Sequence, residues 1–303
     1  MLMGRVARMY YEHGLTHQEI ANALGLSRIR VTRLLQEARA TGVVEIVVHV
    51  DESLFADDEH RLAERYGLNQ VWISPSVGDA DKADRAFASV GAEALGTVLD
   101  TDMTVALGLS TAVAQVVSAV PRSTTGGTFV PIGGSSSGPA QASNPHELAL
   151  RLASATGGRA FHLPAPLVSA TAEAAALAYS DPAVADVLTL AAGADLLVAG
   201  VGGTGRDEGI LLGSLPASTR DELIAAHAVG DLAGRFFDAE GRHVTSPLDD
   251  RIIALDLDQL RGIPRRLGIA RGASKVVPLR AALASGLLTM LVTDSATAEA
   301  LLG

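Results

Sequence analysis

The chain has 303 residues, 48% hydrophobic and 19% charged, with 31 glycines, no cysteine and a net charge of −10. This composition excludes a disordered protein, a disulfide scaffold, thiolate metal sites and cysteine nucleophiles, and the length implies two domains. No apolar run reaches the roughly 18 residues that span a bilayer and no uninterrupted apolar leader opens the chain, so the expectation is a cytoplasmic protein without membrane contact, metal or cofactor.

The charge is unevenly spread. Residues 1–42 hold six arginines against Glu12, Glu19 and Glu37, a net of +3, which leaves −13 on the remainder. A small basic head on an acidic body is the asymmetry expected when one module meets phosphates and the rest does not. Of the 24 basic residues only Lys82 and Lys275 are lysine, so each of those positions hints at a need for an amine.

The head reads as three helices, over 3–13, 16–24 and 27–41, punctuated by Gly14 and Gly25. Thr16 and Glu19 have capping-box spacing, and Ser27 is the cap of the third helix. Counting from His17, an apolar residue is fourth (Ile20), a small one fifth (Ala21), glycine ninth (Gly25) and a β-branched residue fifteenth (Val31), which is helix-turn-helix spacing. Val31, Leu34, Leu35 and Ala38 make the inner stripe of the third helix. Its outer side offers Ser27, Arg28, Ile29, Arg30, Thr32 and Arg33, joined by Gln18 from the second helix. Arginine reads guanine and isoleucine suits a thymine methyl, so these seven residues are the candidate contacts to double-stranded DNA.

The segment YYEHGLTHQEIANALGLSRIRVTRLLQEARATGVVEI resembles the N-terminus of SorC-family sugar-binding transcriptional regulators. Tyr10, Tyr11, Gln18 to Ala21, Leu24, Gly25, Ser27, Arg28, Val31 and Arg33 to Leu35 fit the family pattern, while His17 and Thr32 depart from it.

Beyond Gly42, VVEIVVHVD is a β-branched run, 53–66 reads as a helix and QVWISP as a strand, together a connector. Alternation follows: helix 82–98, strand 103–109, helix 111–119, strand 128–132, helix 145–156, strand 159–163, helix 181–192 and strand 195–201. Later come helix 218–226, strands 251–256 and 266–271, helix 274–285, strand 287–293 and helix 295–302. Such repeats predict an α/β body: a doubly wound, mainly parallel Rossmann-like sheet over residues 51–303, after a helical domain at 1–50.

Ligands of such sheets sit beyond the strands' carboxyl ends, which directs attention to five loops: VALGLST, VPIGGSSSG, LVAGVGGTG, IARGASK and LVTDS. From them Ser110, Thr111, Gly133, Gly134, Gly202 and Gly203 are pocket candidates, as hydroxyls and open backbone at strand ends. Gly200, Gly202 and Gly205 satisfy G-x-G-x-x-G, but RDEGILLGSLP offers no immediate long helix for a pyrophosphate, so NAD is not expected.

AHAVGDLAGRFFDAEG and the tail carrying Gly272, Lys275, Ala281, Ala282, Leu283, Leu291 to Asp294, Ala298 and Leu302 extend the SorC-family resemblance over nearly the whole chain. It implies an effector domain related in fold to sugar-phosphate isomerases and deaminases, adding Asp231, Lys275 and Asp294 as pocket residues. Ala112 stands where the family often has glycine, and Gly134 to Gly138 lacks arginine, so a sugar is implied more firmly than a phosphorylated one. The expected function is operator binding under carbohydrate or sugar-phosphate control by a homo-oligomer, a dimer or tetramer, with no catalysis. The alternative is an isomerase- or deaminase-like enzyme carrying a helical appendage.

Overall fold

The structure is a computed structural model that describes residues 2–44, 53–136, 141–205 and 210–303. Its chain divides into two compact units, Met1–Glu52 and Ser53–Gly303.

The first unit contains α1 (Leu2–Tyr11), α2 (His17–Leu24) and α3 (Arg28–Ala40). At the start of α2 the Thr16 hydroxyl accepts from Glu19 N while the Glu19 carboxylate accepts from Thr16 N, so the capping box closes as its spacing predicts. Gly25 ends α2 with φ 65°, a left-handed value that glycine adopts without strain. Val6, Ala7, Ile20, Ala21, Val31, Leu35 and Ala38 form the buried centre, and Leu34 packs only at its margin. Most of the β-branched run over 43–51 lies outside the described residues. Its first part closes α3, with Val44 N donating to Ala38 O at 3.0 Å.

The second unit runs α4 (Ala56–Tyr66), β1 (Gln70–Ser74), α5 (Ala80–Val98), β2 (Thr104–Leu107), α6 (Thr111–Ser118), β3 (Thr128–Pro131), α7 (Pro145–Thr156) and β4 (Arg159–Ala160). It continues with α8 (Ala172–Ser180), α9 (Pro182–Ala192), β5 (Leu196–Ala199), β6 (Gly202–Gly203), α10 (Ile210–Ser214), α11 (Ala217–Ala225), β7 (Gly230–Leu232) and β8 (Arg235–Phe237). Last come α12 (Leu257–Gly262), β9 (Arg265–Ile269), α13 (Val276–Ala284), β10 (Met290–Asp294) and α14 (Ser295–Leu302).

Seven strands form one sheet in the order β1-β10-β9-β5-β2-β3-β4, and every pairing in it is parallel. Alternate residues along the strands face opposite layers. Val105 and Leu107 join a core with α5, α6 and α7, while Ala106 faces the other core, which α4, α8, α9, α12, α13 and α14 cover. The chain moves outward from β2 through β3 to β4, then returns to place β5 on the other side of β2. The crevice at that reversal is where a doubly wound sheet receives ligands.

Helices α10 and α12 are additional to the sequence reading, and three further features differ from it. The first is α8, which precedes α9 and is separated from it only by Asp181, whose carboxylate accepts from Ala183 N at 2.9 Å. The second is a small antiparallel sheet, β6-β7-β8, whose strands are too short for a periodicity to register. The third is 251–256, which forms no ladder. It follows a short 3-10 helix, Asp249–Arg251, and makes isolated bridges from Ile252 to Val168 and from Ala254 to Gly133. Its backbone is held by side chains. The buried Arg235 guanidinium donates to the carbonyls of Asp249, Ile252, Ala254 and Leu255. The Tyr179 hydroxyl lies 2.9 and 3.0 Å from the carbonyls of Ile252 and Ala254 and accepts from Ala254 N.

Tyr179→Phe leaves Ala254 N–H without the hydroxyl it donates to and removes one donor from carbonyls that Arg235 still serves, which should lower the stability of this unit by about 1–3 kcal/mol. Urea unfolding monitored by circular dichroism measures it, and an unchanged midpoint contradicts the assignment.

Candidate functional site

In the first unit, the surface of α3 opposite its buried stripe is exposed and basic. Ile29 is 80% exposed and stands between Arg28 and Arg30. Arg28, Arg30 and Arg33 are also exposed and, among the described residues, form no ion pair. The remaining candidates have local duties. Ser27 caps α3 by accepting from Arg30 N at 3.2 Å, and Gln18 donates to Asn22 Oδ1 at 3.0 Å. Thr32 donates to Arg28 O and lies 3.1 Å from His17 Nδ1. The two residues that depart from the family pattern are therefore partners, a contact that neither position discloses in the sequence.

The second unit has a cavity of about 290 Å3 at the carboxyl ends of the adjacent strands β9, β5 and β2. From β2 come Ser110 and Thr111 at the start of α6. The Ser110 hydroxyl accepts from Val113 N at 3.2 Å, leaving the first-turn N–H groups of Thr111 and Ala112 at the wall, where an anion is favoured. From β5 come Gly200 and Gly202. A Cβ at Gly200 would collide with Ser110, and one at Gly202 with the Asp231 carboxylate, so both glycines are required by close approach. From β9 come Arg271 and Lys275.

Asp231 reaches the cavity from the β7–β8 hairpin, whose two turn residues, Ala233 and Gly234, both have positive φ, 51° and 82°. Its Oδ2 accepts from Gly234 N at 2.9 Å. Burial pushes the carboxyl above the ordinary range, opposed by that N–H and by the Lys275 charge.

Ser110, Thr111, Gly202, Asp231 and Lys275 thus come together, whereas four other candidates stand apart. Gly133 and Gly134 pack against the backbone of Ile253–Ala254 and Ala165–Pro166, where any side chain would collide. Gly203 is buried beside Gly230 in the small sheet. Asp294 caps α14, accepting from Thr297 N at 2.9 Å. Two wall residues, Gln115 and Arg271, were not singled out by the sequence. Gln115 lies one helical turn beyond Thr111, which is a usable signal; Arg271 is hidden among 22 arginines.

Comparison with known proteins supplies the setting. Residues 53–303 match a family model described as "Putative sugar-binding domain", and residues 5–41 match the Sigma-70 region 4 model. The chain is 29% identical to the erythritol catabolism regulatory protein EryD of Brucella abortus strain 2308, over 99% of this chain and 95% of that protein. It is 30% identical to the transcriptional regulator LsrR of Escherichia coli K12, over 99% and 94%. The full-length sorbitol operon regulator SorC of Klebsiella pneumoniae shares the fold at TM-score 0.77 and 24% identity, over 100% of this chain and 98% of that one. A sugar-binding domain of a DeoR regulator from Pseudomonas syringae pv. tomato aligns at TM-score 0.63 and 28% identity, over 82% and 100%.

The raised Asp231 carboxyl makes a testable statement about pH. The folded state holds this proton more tightly than the unfolded chain, so its contribution to stability is fully present below the ordinary carboxylate range and is lost as pH rises through the raised value. Asp231→Asn should remove that loss. Urea midpoints measured from about pH 4 upward should fall less steeply in the variant than in the parent; identical slopes would show that burial does not govern this group.

Proposed function

The chain belongs to the SorC family of sugar-binding transcriptional regulators, and from that premise we propose that α3 holds operator DNA while the β2/β5 crevice binds the carbohydrate effector that controls it. The observation that carries the reading is the cavity wall itself. Helix N-H groups and hydroxyls stand on one side, Asp231 and Lys275 on another, and apolar Leu109, Leu167 and Leu211 complete it. Carboxylate and ammonium groups bond sugar hydroxyls, while the leucines suit the ring or chain carbons. The printed names of the erythritol and sorbitol regulators point to the same class of ligand. Asp231 takes the role of acceptor from sugar hydroxyls and Lys275 that of a compact cation.

We read the cavity as a sensor. Among its described lining residues there is no histidine or glutamate beside Asp231 to complete an acid–base pair for isomerase or deaminase chemistry. The protein acts in the cytoplasm, where the DNA is. It works as a dimer or tetramer, because one helix-turn-helix covers a single half-site and paired heads match symmetric operators.

In a shift assay on duplexes selected from a random pool, Arg28→Ala and Arg30→Ala should each weaken binding by about 1–3 kcal/mol at fixed salt. Unchanged affinity in both sinks the assignment of α3. With a panel of sugars, polyols and their phosphates, binding should raise the thermal midpoint and alter the DNA shift without turnover. Lys275→Met should abolish the response to the ligand. Light scattering should give at least a dimer, retained by a chain beginning near Ser53; a monomer there would place the contacts elsewhere.

A further inference from the structure

Two histidines of the second unit stand ring against ring, and neither lines the cavity described above. His146 is the second residue of α7 and His162 follows β4, with ring centroids 4.3 Å apart and ring planes at 64°. The contact belongs to no core. His146 is half-buried and His162 is exposed, as are Leu150, one turn along α7, and Phe161.

His146 Nδ1 lies 3.2 Å from the Phe161 carbonyl oxygen. A carbonyl only accepts, so Nδ1 carries the hydrogen and donates it, and the uncharged ring keeps its lone pair on Nε2. A bond of this kind, from the far nitrogen to a backbone carbonyl, is the arrangement that orients a metal-binding imidazole. Among the described residues the His162 ring nitrogens have no hydrogen-bond partner, so this ring can turn a lone pair toward the same point.

Two imidazoles that bind one ion through nitrogens at about 2.0–2.1 Å have centroids roughly 4.5 Å apart at a ligand angle of about 90°, and roughly 5.2 Å apart at the tetrahedral angle. The 4.3 Å found here is a small rotation of the exposed His162 ring from that range. The donor set names the metal class. Imidazole nitrogens suit copper, nickel, zinc and cobalt, whereas magnesium and calcium need oxygen ligands. Among the described residues no third histidine, cysteine or carboxylate completes a cluster, so the other coordination positions belong to water or a small anion. The nearest arginines in the sequence are engaged elsewhere, Arg151 with Ser118 Oγ and Arg159 with Thr128 Oγ1. The net −13 beyond Gly42 favours a dication.

We propose that His146 and His162 form an open two-imidazole site for a divalent transition-metal ion of the copper, nickel and zinc class. The ion fastens the start of α7 to the end of β4, the two-residue edge strand of the sheet. From His162 the chain runs on through Ala165 and Leu167, which share backbone hydrogen bonds with Ser135, and Leu167 reaches the cavity wall. The metal therefore braces a segment that supports the crevice.

Titration calorimetry on the full chain, free of any affinity tag, tests this with the chlorides of copper, nickel, zinc and cobalt. The parent should bind its tightest equivalent of copper at least about tenfold more strongly than that of cobalt. His146→Gln and His162→Gln should each weaken this equivalent by at least about tenfold, and the double variant should lose less than the two singles combined, because one ion needs both rings. Copper electron paramagnetic resonance should show coupling to two nitrogen donors in the parent and to one in each single variant, a signature that a purely structural ring contact would not move. Metal-free urea midpoints should stay at the parent value, while zinc should raise the thermal midpoint of the parent alone. Variants that keep the parent affinity, or a parent spectrum with one nitrogen donor, overturn the site; neither result touches the sugar-sensor reading.

Discussion

The buried guanidinium of Arg235 is the interaction around which the ligand-binding unit is arranged. It donates to four backbone carbonyls of residues 249–255, contacts the Tyr179 hydroxyl at 3.2 Å and pairs with Asp249 at 3.4 Å. Burying a charge is unfavourable unless its bonds are supplied, and here a whole irregular segment supplies them. The segment in turn bridges Gly133 and Val168, so the loop after β3 and the approach to α8 are tied to the same place. Arg235 itself begins β8, directly after the tight Ala233–Gly234 turn. The hairpin is therefore anchored on one side by its arginine and presents Asp231 on the other, over a strand that must be glycine at 202 to receive it.

That anchoring explains how an acidic body can hold a site suited to a polar ligand. Asp231 is desolvated, which raises its carboxyl, yet it keeps the Gly234 N–H and the Lys275 charge as partners. The head solves a different problem. Its arginines stay in solvent, where they are cheap to hold and available to phosphates, while seven small and aliphatic residues fill the interior. Ala21 is buried in that interior, Gly25 makes the left-handed turn that ends α2, and the Ser27 hydroxyl caps the start of α3.

Much of this was legible in the amino-acid order, because it depends on local spacing. Thr16 and Glu19 sit three apart and close a capping box; Ile20, Ala21, Gly25 and Val31 meet the packing needs of two crossing helices; β-branched runs alternate with amphipathic ones to build a parallel sheet. The start of α6 at Ser110 and Thr111 and Lys275, one of two lysines, were legible from residue type. Each is marked by a residue type out of keeping with its neighbours.

Other features depend on contacts between distant positions. The glycines at 133 and 134 read as an open ligand loop, but their missing side chains make room for backbone from 165–166 and 253–254. The run at 251–256 has the composition of a strand, yet Arg235 and Tyr179 take the carbonyls that a neighbouring strand would have used. Asp294 has the chemistry of a ligand group and is occupied by Thr297 N. Arg271 carries no local signal at all, since its place at the cavity wall depends on Phe87 beneath it and Asp84 beside it, 184 and 187 positions away. The sequence by itself determined most of the elements, their order and the helix-turn-helix head, because caps, turns and hydrophobic period act over a few residues. Only the tertiary structure decided which loops share the cavity, because that depends on the strand order β9-β5-β2 and on which buried polar groups find partners far along the chain.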